Sequence, residues 1–446
     1  MRLRYLLLAA ACLAAPAHAQ PDYAPAVEAD YKASLGALFD YFHRNPELGF
    51  LETKTATRMA AELRKAGVTV TEGVGRTGVV GVMKNGDGPV VMIRADMDGL
   101  PVEEKSGLPN ASKARQTNAD GEEVPVMHAC GHDVHITSLV GTAKRLAAMK
   151  DRWKGTVIFV AQPAEEPVSG AKAMLADGIY TRFPKPDYAL AFHVSSGLAT
   201  GKVSAAEGLQ YSSADALDII VHGVGAHGAA PHTGKDPVYI GSQIVVALQS
   251  ITSREVMPLS PAVITVGSFH AGTRPNIISD RAKLQVTVRA NDEATRAQLV
   301  KAVERVAKGV ARTHGMPEDK LPEVRHVEGT PTTINDAALA GRLNAVMVQA
   351  LGEDAVEPFV QESMGAEDFA YFVEKQYGIP GYYFAVGGTP QAAFDAEKAG
   401  GAPVPSHHSP LFKIDPEPSV TTGTVAMTAA VLDLLKPGTG VAAAGN

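Results

Sequence analysis

Three stretches of the chain are apolar almost without interruption and end in polar residues: "GPVVMIRADMD" at 88–98, "GTVIFVAQPAEE" at 155–166 and "DYALAFHV" at 187–194. Runs of this kind predict strands covered on both faces, as in a parallel sheet. Between the first two, "DVHITSLVGTAKRLAAMKDRW" at 133–153 spaces its apolar residues at helical intervals, so the unit reads strand, helix, strand. Ligands of open α/β sheets bind beyond the carboxyl ends of the strands. Asp96, Asp98, Glu165, Glu166 and His193 all fall at such ends.

From about residue 212 the pattern changes. "ADALDIIVHGV" predicts a strand, "YIGSQIVVALQSITSRE" a helix, "AVITVGSFHAG" and "RAKLQVTVRA" an antiparallel pair, and "DEATRAQLVKAVERVAKGVARTHG" a second helix. This order predicts a small two-layer domain with its own sheet. After about 325 the chain returns to helices, a short strand "GYYFAVGG" at 381–388 and a final helix near 419–435. The expected architecture is an α/β protein: a first domain of 20–211 and 326–446, with a mixed sheet flanked by helices, interrupted by a small α+β unit at 212–325. A tandem arrangement is the alternative that pattern alone leaves open.

The N-terminus, "MRLRYLLLAAACLAAPAHAQ", has two arginines, an apolar run from Tyr5 to Ala15 and Ala-His-Ala before Gln20. It predicts a secretory signal peptide at 1–19, too short to span a membrane, and hence a periplasmic or secreted protein. Loss of Arg2 and Arg4 takes the formal charge from -7 to -9, which argues against nucleic acid or an anionic membrane surface as partner. Cleavage also removes Cys12 and leaves Cys130 as the only thiol. In an oxidising compartment a lone thiol is either buried as a small hydrophobe or tied to a metal.

Cys130 sits in "MHACGHDVH" at 127–135. Thiolate, imidazole and carboxylate are the usual donors to zinc or manganese. Gly131, between Cys130 and His132, permits a sharp turn that lets both side chains point into one cavity. His128 and His135 read as neighbours of the site rather than ligands. Glu165 and Glu166 are adjacent carboxylates whose like charges repel unless a cation compensates. His193 lies inside an apolar strand, where the alternative is an ordinary core histidine.

"RADMDGLPVEE", "MHACGHDVH", "QPAEE", "AFHV", "GAHGAAPH", "RPNIISD", "GAEDFAYF" and "HHSP" occur in this order along the chain. In them the sequence resembles the amidohydrolase branch of the di-metal exopeptidases, which includes N-acyl-amino-acid amidohydrolases, hippurate hydrolases and auxin-conjugate hydrolases. The resemblance runs from about residue 30 to 435. It implies two divalent metal ions, zinc or manganese, held by Cys130, His132, Glu166, His193 and His408. His408 is preferred to His407 because it stands directly before a small residue and proline. The resemblance makes Glu165 the catalytic base and Asp98 a residue that orients a ligand or water. The inserted region becomes a lid and dimerisation domain, in which His227 reaches the reacting carbonyl while Asn276 and Arg289 hold a substrate carboxylate. The expected substrate is a small N-acyl amino acid, cleaved at its amide bond by a homodimer. A dipeptidase or carboxypeptidase with the same site is one alternative, and a non-catalytic periplasmic metal- or solute-binding protein is another.

Overall fold

The structure is a computed structural model that describes residues 21–438. The expected signal peptide at 1–19 lies outside the described residues. Eight strands form one mixed sheet, in the order Thr69–Val74, Gly78–Asn85, Gly155–Gln162, Val90–Asp96, Tyr188–Ala199, Gly381–Thr389, Val203–Ser204, Val356–Glu357. The three strands expected from unbroken apolar runs lie side by side in it, and with Gly381–Thr389 they make a parallel core.

They are apolar on both faces because both faces are covered. Val157 and Phe159 pack into a cluster with the helices His132–Ala148 and Pro416–Leu434, while the alternate residues Ile158 and Val160 pack with Met174, Phe369 and Phe372 on the other side. The register pairs Asp96 with Gln162 and Arg94 with Ala191. Asp96, the turn after Gln162 and His193 are thereby brought to one level of the sheet.

A second, antiparallel sheet has the order Ala262–Ala271, Arg281–Ala290, Ser213–His222, Glu323–Thr330. The helices Pro237–Ser250 and Glu293–Thr313 pack on it around a separate core that includes Leu217, Ile244, Leu284 and Val303. Each of these helices starts at an aspartate whose side chain accepts a backbone N–H, Asp236 from Val238 and Asp292 from Thr295. Such a cap is worth about 1 kcal/mol. The strand Glu323–Thr330 is an addition to the expected elements: it is largely exposed and lacks apolar alternation, so its pairing with Ser213–His222 leaves no hydrophobic trace in the sequence. Because it crosses position 325, the small sheet runs on to Thr330. Among the described residues no helix is long and apolar enough to cross a membrane.

Candidate metal centre

The turn that leads into the helix His132–Ala148 supplies the first two donors. Gly131 has φ +82°, and a Cβ there would come within 2.3 Å of a Val194 methyl. Only glycine fits both requirements. His132 is fully buried; its Nδ1 lies 2.9 Å from the backbone oxygen of Asp98, while its Nε2 has no hydrogen-bond partner. Because a carbonyl only accepts, Nδ1 carries a proton; against burial, Asp96, Asp98 and Glu166 push the imidazole up to about 10 in the metal-free chain, so a cation at Nε2 would take the place of a second proton. His193 repeats the device: Nδ1 bonds to the Val194 oxygen at 2.7 Å, and Nε2 stands 3.4 Å from the Cys130 sulfur.

The turn at 163–168 supplies the carboxylates. Ala164 and Val168 both have positive φ, at 48° and 52°, conformations that cost a non-glycine residue energy and persist only where other contacts enforce them. Three bonds enforce this one. The Ala164 N–H donates to Glu52 at 2.7 Å, the Glu166 N–H donates to Asp98 Oδ2 at 3.0 Å, and the Ala164 oxygen accepts from Gly170 N–H at 2.9 Å. His408, also at positive φ (64°), is pinned by its N–H on the Ala129 oxygen and puts Nε2 3.5 Å from Glu166.

Donor atoms of Cys130, His132 and His193 lie within 4.8 Å of one another, as do those of Cys130, Glu166 and His408, and those of His132, Glu165 and Glu166. All five residues expected to bind metal are therefore linked through shared members, with Glu165 and Asp98 beside them. His407 joins none of these groups, although its ring lies 5.2 Å from that of His193: its Nε2 accepts the Ser196 N–H, and its ring packs on Phe412. His135 spends both nitrogens, Nδ1 on Asp96 at 2.5 Å and Nε2 on the Val194 N–H at 2.8 Å. Burial holds it neutral, with a pKa of about 3. His128 is buried too, its ring makes no hydrogen bond, and it belongs to none of these groups.

The electrostatics suit bound cations. Burial, then Glu367, Glu166 and Asp368, pushes the Glu165 carboxyl far above the usual range, and burial raises Glu166 to about 8. Burial and the two glutamates also raise the Cys130 thiol. Nearby positive charge reverses each of these shifts, and the unbonded Nε2 of His132 completes a sulfur, nitrogen and oxygen donor set that fits divalent transition metals.

Sequence reasoning assigned no role to Arg94, Glu367 or Asp368, and Asp96 was not tied to a partner. Arg94 is wholly buried and bonds Asp96, Gln162, Glu367 and Asp368 at 2.6–3.0 Å. A charged residue within the apolar run "VVMIRAD" was the available signal.

The three residues expected in the lid do not join this cluster within the chain. His227 is exposed on the short strand Ala226–His227, and its Nδ1 accepts the Ala229 N–H. Asn276 is its neighbour, since the Gly228 N–H donates to the Asn276 oxygen. Arg289 is half-buried and gives one N–H to the Met364 oxygen, with no carboxylate partner among the described residues.

The profile of the peptidase family M20/M25/M40 matches residues 92–399. The chain is 39% identical to the hippurate hydrolase of Campylobacter jejuni over 346 residues, 77% of this chain and 86% of that one. It is 37% identical to thermostable carboxypeptidase 2 of Saccharolobus solfataricus over 350 residues, 77% and 83% of the two chains. The crystal structure of the Bacillus subtilis YXEP protein, a dinuclear metal-binding peptidase, superposes with a TM-score of 0.72 at 28% identity, covering 92% of this chain and 99% of that one. A profile match over most of the chain, with relatives of this identity along most of their length, makes it a member of peptidase family M20/M25/M40, a metal-dependent hydrolase of amide bonds.

Proposed function

We propose that the substrate is an N-acyl amino acid with a free carboxylate, split into acid and amino acid. The observation that carries this reading is Arg289. A half-buried guanidinium without an acidic partner is costly unless a ligand supplies the carboxylate, for which its fork is suited. The similarity to a hippurate hydrolase supports the same class. A carboxypeptidase reading uses the same arginine and is supported by the similarity to thermostable carboxypeptidase 2. The metal-reconstituted protein, assayed on N-acetyl, N-benzoyl and N-aminoacyl amino acids with and without a free carboxylate, separates the two. N-acyl compounds should be preferred, and carboxyl amides should lose most of the rate. Preference for aminoacyl compounds would replace this reading with the peptidase, and indifference to the carboxylate would remove Arg289 from both.

Cys130, His132, Glu166, His193 and His408 would hold two divalent cations, zinc or manganese. When bound, such ions acidify water and polarise a carbonyl. Glu165 takes the proton of the attacking water and delivers it to the leaving nitrogen, so the amine departs neutral. Asp98 holds His132 through its backbone oxygen and Glu166 through its side chain, and thus fixes two donors at once. The single described thiol, Cys130, suits export to the periplasm or beyond, because tied to metal it is protected from oxidation.

Dimerisation and completion of the site by the partner's lid belong to the same proposal. The small sheet has a free edge at Ala262–Ala271, and the helix Pro237–Ser250 exposes Val238, Tyr239 and Val246. His227 bonds only within its own lid. Mixing a His227→Ala chain with a Glu165→Ala chain tests this arrangement. If His227 serves the partner, half the dimers are mixed and each carries one intact site, so roughly a quarter of wild-type activity should return. No recovery after verified subunit exchange would place His227 in its own chain's site.

A further inference from the structure

Tyr211 ends the strand Gly208–Tyr211, two residues before the small sheet begins at Ser213. Its ring meets Tyr383 edge-on, with centroids 5.3 Å apart, and lies 6.4 Å from the ring of His193. Its other edge runs along Gly365, where a Cβ would sit 3.7 Å from the ring. The phenol is thus fixed from three sides beside the metal-binding cluster.

Four other tyrosines, three of them buried and Tyr180 half-buried, give their hydroxyls to protein acceptors: Tyr23 to Val425, Tyr180 to Phe372, Tyr382 to Asn344 and Tyr383 to Glu367. The Tyr211 hydroxyl bonds to none of the described residues. Its neighbour Tyr383 already donates to Glu367 Oε2 at 2.6 Å. Tyr211 is half-buried and its hydroxyl is not sealed from solvent, so it stands open to a bound molecule beside the cluster. At neutral pH a phenol keeps its proton, so it is a donor and not a base, and the described residues offer it no acceptor. The reaction provides one, since the carbonyl oxygen of the amide gains negative charge as water adds to its carbon.

We propose that Tyr211 is a catalytic residue that donates a hydrogen bond to the oxygen of the scissile amide as it becomes an oxyanion. The proton stays on tyrosine throughout; no bond to the protein forms or breaks. The proposal rests on the amide-hydrolase reading and deepens it.

Tyr211→Phe keeps the ring, and with it the packing on Tyr383 and His193. Wild type and variant are to be compared in metal content by elemental analysis, in kcat and KM on the best substrate of the panel, and in calorimetric affinity for its phosphonamidate analogue and for the product amino acid. Metal content and product affinity should be unchanged. Turnover should fall about 10²–10³-fold, the usual worth of one oxyanion donor, with KM little altered and affinity for the tetrahedral analogue falling in parallel. Unchanged turnover overturns the proposal, and so does a rise in KM alone. Loss of metal or of folding in the variant also overturns it, by making the hydroxyl a structural group. A wild-type protein inactive on every amide of the panel would instead overturn the amide-hydrolase reading, and the role of Tyr211 with it.

Discussion

Replacing Glu165 by glutamine should lower turnover by about 10²–10⁴-fold, the usual contribution of a general base, while leaving metal content at the wild-type level. The two halves of this result have different origins. Glutamine has the shape of glutamate but cannot take a proton from water, so the chemical step fails. The expected ligands Cys130, His132, Glu166, His193 and His408 do not include the replaced group, so binding of metal persists. Elemental analysis beside kinetics checks both. Loss of metal with the activity would mean that Glu165 and Glu166 have exchanged roles.

The same substitution should stabilise the metal-free protein increasingly as pH rises above about 5. The Glu165 carboxyl is raised far above its ordinary value by burial and by Glu367, Glu166 and Asp368. A carboxyl whose pKa is higher in the folded than in the unfolded chain costs nothing while protonated in both. Its destabilisation begins as pH rises past the unfolded value of about 4.3 and grows until the folded value is reached. Glutamine removes this dependence. Melting curves of both metal-free proteins should therefore diverge as pH rises from 5 to 8, with the variant the more stable.

Legibility from sequence followed distance along the chain. The Cys130–Gly131–His132 turn was readable because its chemistry is local: two donors and the one residue that tolerates φ +82° with Val194 so close. The parallel strands were readable because burial on both faces leaves an unbroken apolar record. Strand ends marked Asp96, Asp98, Glu165, Glu166 and His193 as candidates, while the ligand set with His408 and the separate roles of the two glutamates came from the family resemblance. What was not readable is what depends on remote partners. Arg94 meets Glu367 and Asp368 across more than 270 positions, and nothing at either end names the other. The strand Glu323–Thr330 pairs through its backbone while its side chains face solvent. His227 and Asn276 are adjacent in space because short strands pair, and among the described residues neither meets the metal-binding cluster.

The buried arginine yields the other large effect. Arg94→Met should destabilise the metal-free protein by about 3–5 kcal/mol in urea unfolding, the usual consequence of removing one partner from a buried ion-pair network. Methionine fills much of the volume but leaves Asp96, Glu367 and Asp368 facing one another without a cation. Lysine should not rescue it, because a single ammonium cannot reproduce the fork that joins Gln162 Oε1, Asp96 Oδ2, Glu367 Oε1 and Asp368 Oδ1. The loss should also reach the metal centre. Asp96 orients His135, and His135 holds the Val194 N–H next to His193, so affinity for metal should fall as well. A second substitution separates charge from packing. Asp368 is the carboxylate that burial, working against Arg94, has already raised to about 7. Asp368→Asn in the Arg94→Met background should therefore recover part of the lost stability by removing one uncompensated charge. If Arg94→Met unfolds within about 1 kcal/mol of wild type, the acidic groups are neutral without the arginine and the network does not hold the sheet to the 367–368 segment. If the double variant is no more stable than the single one, the loss comes from the hydrogen-bonding fork itself and not from unpaired charge.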